Sequence, residues 1–115
     1  MYSYTDLSVI FNPYFTLIDF KSKEFTIKSN NTGHTWRIYE SSDGFYGMFH
    51  KHKDKQKFHF HFAYESLQDC FLEIAGHDSF ELNGRRNVRS SEHSFFDDII
   101  RMYTSNGYDF NSFFF

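Results

Sequence analysis

The sequence predicts an α+β fold: an antiparallel meander sheet of about four to five strands with two α-helices packed on one face. Three observations carry this. Five segments between Tyr14 and Ala63 alternate apolar and polar residues and are separated by short clusters of Asn, Asp, Gly, Ser or Lys. Two later segments place apolar residues at helical spacing. The chain is 23% aromatic, with 17 Phe, so its 115 residues can build one core and form a single domain rather than a disordered chain. A small barrel with a helix across its mouth is the second arrangement these elements allow.

Thr5 to Phe11 reads as a short helix with Thr5 as N-cap, stopped by Asn12-Pro13. Tyr14 to Phe20 is the first strand, and Lys21-Ser22-Lys23 the turn after it. Glu24 to Ser29 puts Phe25 and Ile27 on one face, and ends at Asn30-Asn31-Thr32-Gly33, residues that tolerate positive φ. His34 to Glu40 puts Trp36 and Ile38 on one face before Ser41-Ser42-Asp43-Gly44 turns the chain again. Phe45 to His52 and Lys57 to Ala63 complete the meander. In Tyr64 to His77 a helix is predicted from Leu67, Cys70, Phe71 and Ile74, which form one stripe, with Gly76 as its stop. Ser79 to Leu82 reads as a short extended piece. A second helix is predicted from about Ser91 to Tyr103, with Phe95, Phe96, Ile99, Ile100 and Tyr103 inward.

Composition excludes several function classes. A net charge of −3 weighs against a general nucleic-acid binder, which needs a basic surface to displace counterions. No stretch approaches the ~18 apolar residues of a membrane span. The start, Met1 to Asp6, lacks the basic and apolar regions of a secretory signal, and Cys70 is the only cysteine, so a reducing, cytoplasmic setting is expected. Phe, Tyr, Asn, Lys, Ser, Asp and Ile are abundant while Ala occurs twice and Pro once, the bias an AT-rich coding sequence produces in low-GC bacteria and their phages.

The segment richest in chemistry is a hairpin, Phe49-His50-Lys51-His52 followed by Phe58-His59-Phe60-His61-Phe62. With a period of two, Phe45 and Phe49 share one face and Tyr46, Met48, His50 and His52 the other, while Phe58, Phe60 and Phe62 oppose His59 and His61. Burying the Phe sets puts the imidazoles outside. Pairing His52 with His59 and His50 with His61 leaves Asp54 to Lys57 as a four-residue loop and gathers four imidazoles on one patch. Zinc takes nitrogen ligands at ~2.0–2.1 Å in a tetrahedron, so His50, His52, His59 and His61 are the predicted metal ligands, three binding and one spare. The bland alternative is ordinary polar-out alternation on a solvated face.

Other features carry less. His77 after the first long helix has a structural reading beside the helix dipole and a second as an outer ligand. A nuclease of the HNH kind assembled from His77, Asn83 or Asn87, and His93 has forced spacing. Cys70 sits on the apolar stripe, where a thiol is core rather than nucleophile. The His-x-His spacing lacks the Glu and Gly that a cupin motif requires. Glu65, Asp69 and Glu73, with Asp78 and Glu81, form an acidic run free of Lys and Arg. Arg85, Arg86 and nearby Arg89 form the only concentrated basic patch apart from the hairpin lysines. Glu65, Asp69, Glu73, Arg85 and Arg86 are the candidate partner-binding residues, against a solvated helix face and loop as the plain reading. The tail Phe110-Asn111-Ser112-Phe113-Phe114-Phe115 is unusually apolar for a terminus.

Small size, AT-type residue usage, charged faces beside aromatics and the lack of a strong catalytic constellation point to a non-enzymatic binding protein. In these features the chain resembles small phage-encoded anti-CRISPR proteins, without an aligned motif. The resemblance implies an inhibitor that blocks a bacterial defence nuclease such as a CRISPR-Cas effector by binding a host protein. For such a binding protein we expect no direct nucleic acid and no membrane, a monomer or homodimer, and a structural zinc ion on the histidines that pins the hairpin. The alternative is a metal-dependent hydrolase or nuclease using the histidine cluster with an open coordination position, for which Asp78 and Glu40 are the candidate bases.

Overall fold

The computed structural model describes residues 2–52, 57–86 and 94–104. The predicted class is what is found: a five-stranded antiparallel sheet in the order β1-β2-β3-β4-β5, with helices packed against it. The strands are β1 (Phe15–Phe20), β2 (Glu24–Ser29), β3 (Thr35–Glu40), β4 (Tyr46–Lys51) and β5 (His59–Tyr64), and the helices are α1 (Tyr4–Ile10), α2 (Leu67–Leu82) and α3 (Phe95–Thr104). None of the described helices is long and apolar enough to cross a membrane.

The first helix starts one residue earlier than expected. Ser3, not Thr5, is its N-cap, because Asp6 three residues on completes a capping box: the Asp6 amide donates to Ser3 Oγ at 3.1 Å and the Ser3 amide to Asp6 Oδ2 at 3.0 Å. The buried Asp6 also accepts from the Tyr103 hydroxyl at 2.9 Å, which ties α1 to α3.

Helix α2 corrects two expectations. It runs through Gly76 and takes up Ser79 to Leu82, which were expected to be extended. Gly76 is an approach point rather than a stop: a Cβ there would lie 3.2 Å from the Phe96 ring of α3. The chain turns instead after Asn83, where Gly84 and Arg85 both take positive φ. Of the inward set expected on α3, Ile99 and Tyr103 are buried and Phe96 is exposed. Residues 91–93, the expected start of that helix, lie outside the described residues.

The main correction concerns which face of the hairpin is inside. The helix-covered face carries Phe25 and Ile27 of β2, Trp36 and Ile38 of β3, and Met48 and His50 of β4, packed with Phe71 and Ile74 of α2. The expected core set of Phe45, Phe49, Phe58, Phe60 and Phe62 is outside that core. Phe60 and Phe62 are 54% and 57% exposed, Phe45 is exposed, and Phe49 and Phe58 are half-buried. Directly opposed residues of antiparallel strands share a face. Trp36 pairs with His50 and Ile38 with Met48, so burying the indole brings the imidazole in with it. The opposite choice would have buried Arg37 and Lys51, which pair with Phe49 and Thr35 on the other face. A neutral imidazole stacked on indole costs far less to bury than a guanidinium or an ammonium.

The register differs as well. His50 pairs with His59, not with His61, because the β4–β5 ladder shifts by one residue between Met48 and Phe49. Of the loop expected at Asp54 to Lys57, residues 54–56 lie outside the described residues.

On the outer face Gly47 has a specific duty. A Cβ there would fall 2.3 Å from Tyr39 Cε1 and 2.5 Å from Cζ, so the Tyr39 ring lies against bare backbone of the neighbouring strand. Gly47→Ala is expected to displace that ring and lower stability by about 1 kcal/mol, within the ordinary range of overpacking. A urea titration monitored by circular dichroism checks it, and an unchanged midpoint would show that Tyr39 moves at no cost.

Candidate metal centre

The site sits where the β2–β3 turn, the end of β4 and the middle of α2 meet. The turn brings in His34: Gly33 adopts a φ of +78°, and the Ser29 amide donates to the His34 carbonyl at 2.9 Å. His34 is followed at period two by Trp36 and Ile38, so it falls on the buried face. The β3–β4 register then sets His34 beside His50 and His52, with ring centroids 5.2 and 4.5 Å away. One ligand nitrogen from each of His34, His50 and His52 lies within 4.8 Å of the others. The Nδ1 of His34 and the Nε2 of His50 share a hydrogen bond of 3.1 Å. That spacing is close to the ~3.3 Å between two ligands of a tetrahedral zinc ion with ~2.0–2.1 Å bonds.

A fourth imidazole comes from the helix. The His77 ring centroid lies 4.7 Å from those of both His34 and His50. Its Nδ1 is buried and, with Trp36 Nε1, has no hydrogen-bond partner among the described residues. A buried polar atom without a partner is uncommon, and an ion or a water is the usual explanation. The Trp36 indole forms the floor. It stacks on His50 at 4.1 Å and meets His77 and His61 edge-on at 5.1 and 5.4 Å.

Of the four predicted ligands, His50 and His52 belong to the triad. His59 and His61 stand beside it, at 5.5 and 6.1 Å from His50 ring to ring. His61 Nε2 is engaged with the Glu73 carboxylate at 3.0 Å. His34 was missed because it was read only as the first residue of a strand. Its parity with Trp36 was the signal available, and became usable only once that face was known to be inside.

Behind His77 lies a buried carboxyl. Asp78 is 0% exposed and accepts from the hydroxyls of Tyr14 at 2.7 Å, Ser29 at 2.5 Å and Thr32 at 3.0 Å. Burial and this carboxyl push the Tyr14 phenol far above its usual range. Glu40, the other candidate base, sits at the far end of β3 against the Tyr46 hydroxyl at 3.2 Å. Burial pushes the Cys70 thiol up, in keeping with a core role rather than a nucleophilic one.

The candidate partner residues are spread over separate surroundings. Asp69 takes part in the Ser66 cap of α2, with its amide donating to Ser66 Oγ at 3.2 Å. Glu73 holds His61, Arg85 pairs with Glu81 at 2.5 Å, and Glu65 and Arg86 are exposed. Arg89, Asn87, His93 and the Phe110–Phe115 tail lie outside the described residues.

Electrostatically the cluster resists protons. Burial first, then the neighbouring rings of His77 and His52, lower the His50 pKa from 6.5 to about 3. Burial and the same two neighbours lower that of His34. The unfolded chain therefore takes up protons at positions 34 and 50 below about pH 6.5 that the folded chain refuses. Stability is full above that pH and falls as pH drops toward about 3 through His50, by about 1.4 kcal/mol per pH unit within that window, and the lowered pKa of His34 acts in the same direction. Thermal melts of the chelator-treated protein check this. A melting temperature that holds constant between about pH 7 and pH 5 would contradict it.

Comparison with family models, curated proteins and solved structures gave no match to this chain.

Proposed function

We propose that this chain is a transition-metal-binding protein in which His34, His50 and His52 hold a zinc-class ion, with His77, whose ring nitrogens lie 3.8 Å from the Asp78 and Glu81 carboxylates, turning from them to serve as fourth ligand. The convergence of three ligand nitrogens within 4.8 Å, two of them buried, carries the reading. The imidazoles come from the β2–β3 turn, from β4 and its end, and from α2, so one ion would clamp sheet to helix. Such a clamp has the form of a structural site, in which metal binding adds directly to folding stability.

A structural role is also supported by the carboxyls nearby. Asp78 is occupied by three hydroxyls, Glu73 by His61, and Glu81, 3.8 Å from His77 Nε2, by Arg85, which leaves none of them in the position of a base beside a metal-bound water. The reading is thus a non-enzymatic one. An inhibitory role against a bacterial nuclease fits a structural ion and rests on the sequence resemblance alone.

The test uses the full chain, stripped with chelator and titrated with Zn²⁺ against a competing chromophoric chelator. Trp36 is the only tryptophan and stacks on His50, so its fluorescence reports the same event. One equivalent bound, with a rise in melting temperature, is expected. His77→Ala should weaken binding by about tenfold or more while the triad still binds. Absence of binding tighter than roughly 10 μM would overturn the reading, since a folding-linked site is far tighter. Chelator-sensitive hydrolysis of a nucleic-acid substrate would replace the structural role with the catalytic one.

A further inference from the structure

We propose that the outer face of the sheet is a stacking platform for single-stranded DNA. Bases would lie on Tyr39, Phe49 and Phe60, and phosphates would meet Arg37, Lys51 and Lys57. This face is the reverse of the one that carries the imidazoles, so the proposal does not rest on the metal reading.

Three rings form a row across adjacent strands. Tyr39 of β3 lies 5.9 Å from Phe49 of β4, and Phe49 lies 5.5 Å from Phe60 of β5, centroid to centroid. The row is held open by two features. Gly47 lets the Tyr39 ring lie over bare backbone, and Phe60 is 54% exposed on the edge strand. Cations gather on Phe58, the residue before β5 and outside the row. The Arg37 guanidinium carbon is 4.3 Å and the Lys51 ammonium 5.1 Å from the Phe58 ring centre, and Lys57 next to it is exposed.

The net charge of −3 conceals this pattern. Glu65 and Asp69 before and within the first turn of α2, Glu73 and Glu81 further along it, and Asp97 and Asp98 of α3 all belong to the helix layer. On the sheet, Asp19 and Glu24 lie at the β1–β2 end and share Lys21 at 3.7 and 4.0 Å. Glu24 is the register partner of Tyr39, so the row has an acidic end at Tyr39, and its positive charge stands at the other end with Arg37, Lys51 and Lys57. Rings spaced along a strip with cations at their margin match a polymer that alternates π-faces with phosphates. A duplex hides its base faces and cannot use the rings. Single-stranded DNA is the occupant proposed, because unstacked pyrimidine tracts offer their bases most freely, and RNA, with the same phosphates and π-faces, is an outcome of the test.

Fluorescence anisotropy with a labelled oligothymidylate of about twelve nucleotides tests this on the full chain at about 50 mM salt. Micromolar binding is expected, weakened about tenfold in Phe60→Ala, whose exposed side chain contributes little to folding. Arg37→Gln should flatten the salt dependence by about 0.7 in log–log slope. Chelator should change nothing. The proposal is overturned by no binding up to about 100 μM, by equal affinity for Phe60→Ala, or by a duplex binding as tightly. Clearly tighter binding of oligouridylate would reassign the face to RNA. Self-association by sedimentation that Phe60→Ala abolishes, without oligonucleotide binding, would assign it to a second copy of the chain.

Discussion

Replacing His50 with alanine is expected to abolish tight zinc binding and, with it, the stabilisation the ion brings. At a free zinc concentration about a hundred times the dissociation constant, the wild-type chain should gain about 2.7 kcal/mol, and the variant none. His50 holds the central place: it shares the 3.1 Å hydrogen bond with His34, stacks on Trp36 at 4.1 Å and lies ring to ring 4.5 Å from His52. Because it is buried, the variant also loses packing. His52→Ala separates the two effects, since His52 is only half-buried at the end of β4. It should keep the metal-free melting temperature within a few degrees, as surface changes of about 0.5 kcal/mol do, while zinc affinity falls by about a hundredfold. Competition titrations and paired melts with and without zinc read both quantities. Unchanged affinity in both variants would place any bound ion elsewhere, for instance on His59 and His61.

Asp78→Ala should be the most damaging single change to the metal-free fold. Its carboxyl gathers hydroxyls from Tyr14 ahead of β1, Ser29 at the end of β2 and Thr32 in the β2–β3 turn, three parts of the chain held to α2 by one side chain. Alanine leaves these donors without their acceptor. Ser29 is buried while Tyr14 and Thr32 are half-buried, so at about 1–3 kcal/mol for a buried donor left unsatisfied the loss should be about 2–3 kcal/mol. Asn, which retains one acceptor oxygen, should fall between. The urea midpoint measured by circular dichroism decides it, with the slope checked for two-state behaviour. The same turn carries His34, so Asp78→Ala should also weaken zinc binding without touching a ligand. A variant as stable as wild type would mean that water replaces the carboxyl freely.

The strand and helix order was legible because each element has its own periodic signal. Phe25-Ile27 and Trp36-Ile38 alternate, and Leu67, Cys70, Phe71 and Ile74 recur at helical spacing. Element ends were less legible. Gly76 reads as a stop by its chemistry, yet it serves the approach of Phe96, a residue twenty positions away whose nearness no local pattern announces.

The histidine cluster shows the division most plainly. Local chemistry determined that His50 and His52 share one face and Phe49 the other, because successive side chains on a strand must alternate. It could not determine which face is inside, since both contain rings of similar size and either could be covered. Tertiary structure decided that by pairing β4 with β3. Trp36 and Ile38 pull His50 and Met48 under the helices, whereas the opposite choice would have buried Arg37 and Lys51. Alternation is a property of one strand, whereas burial depends on the charges and rings of its neighbours. For that reason His34 and His77, distant in sequence, joined the site only when the sheet and α2 came together.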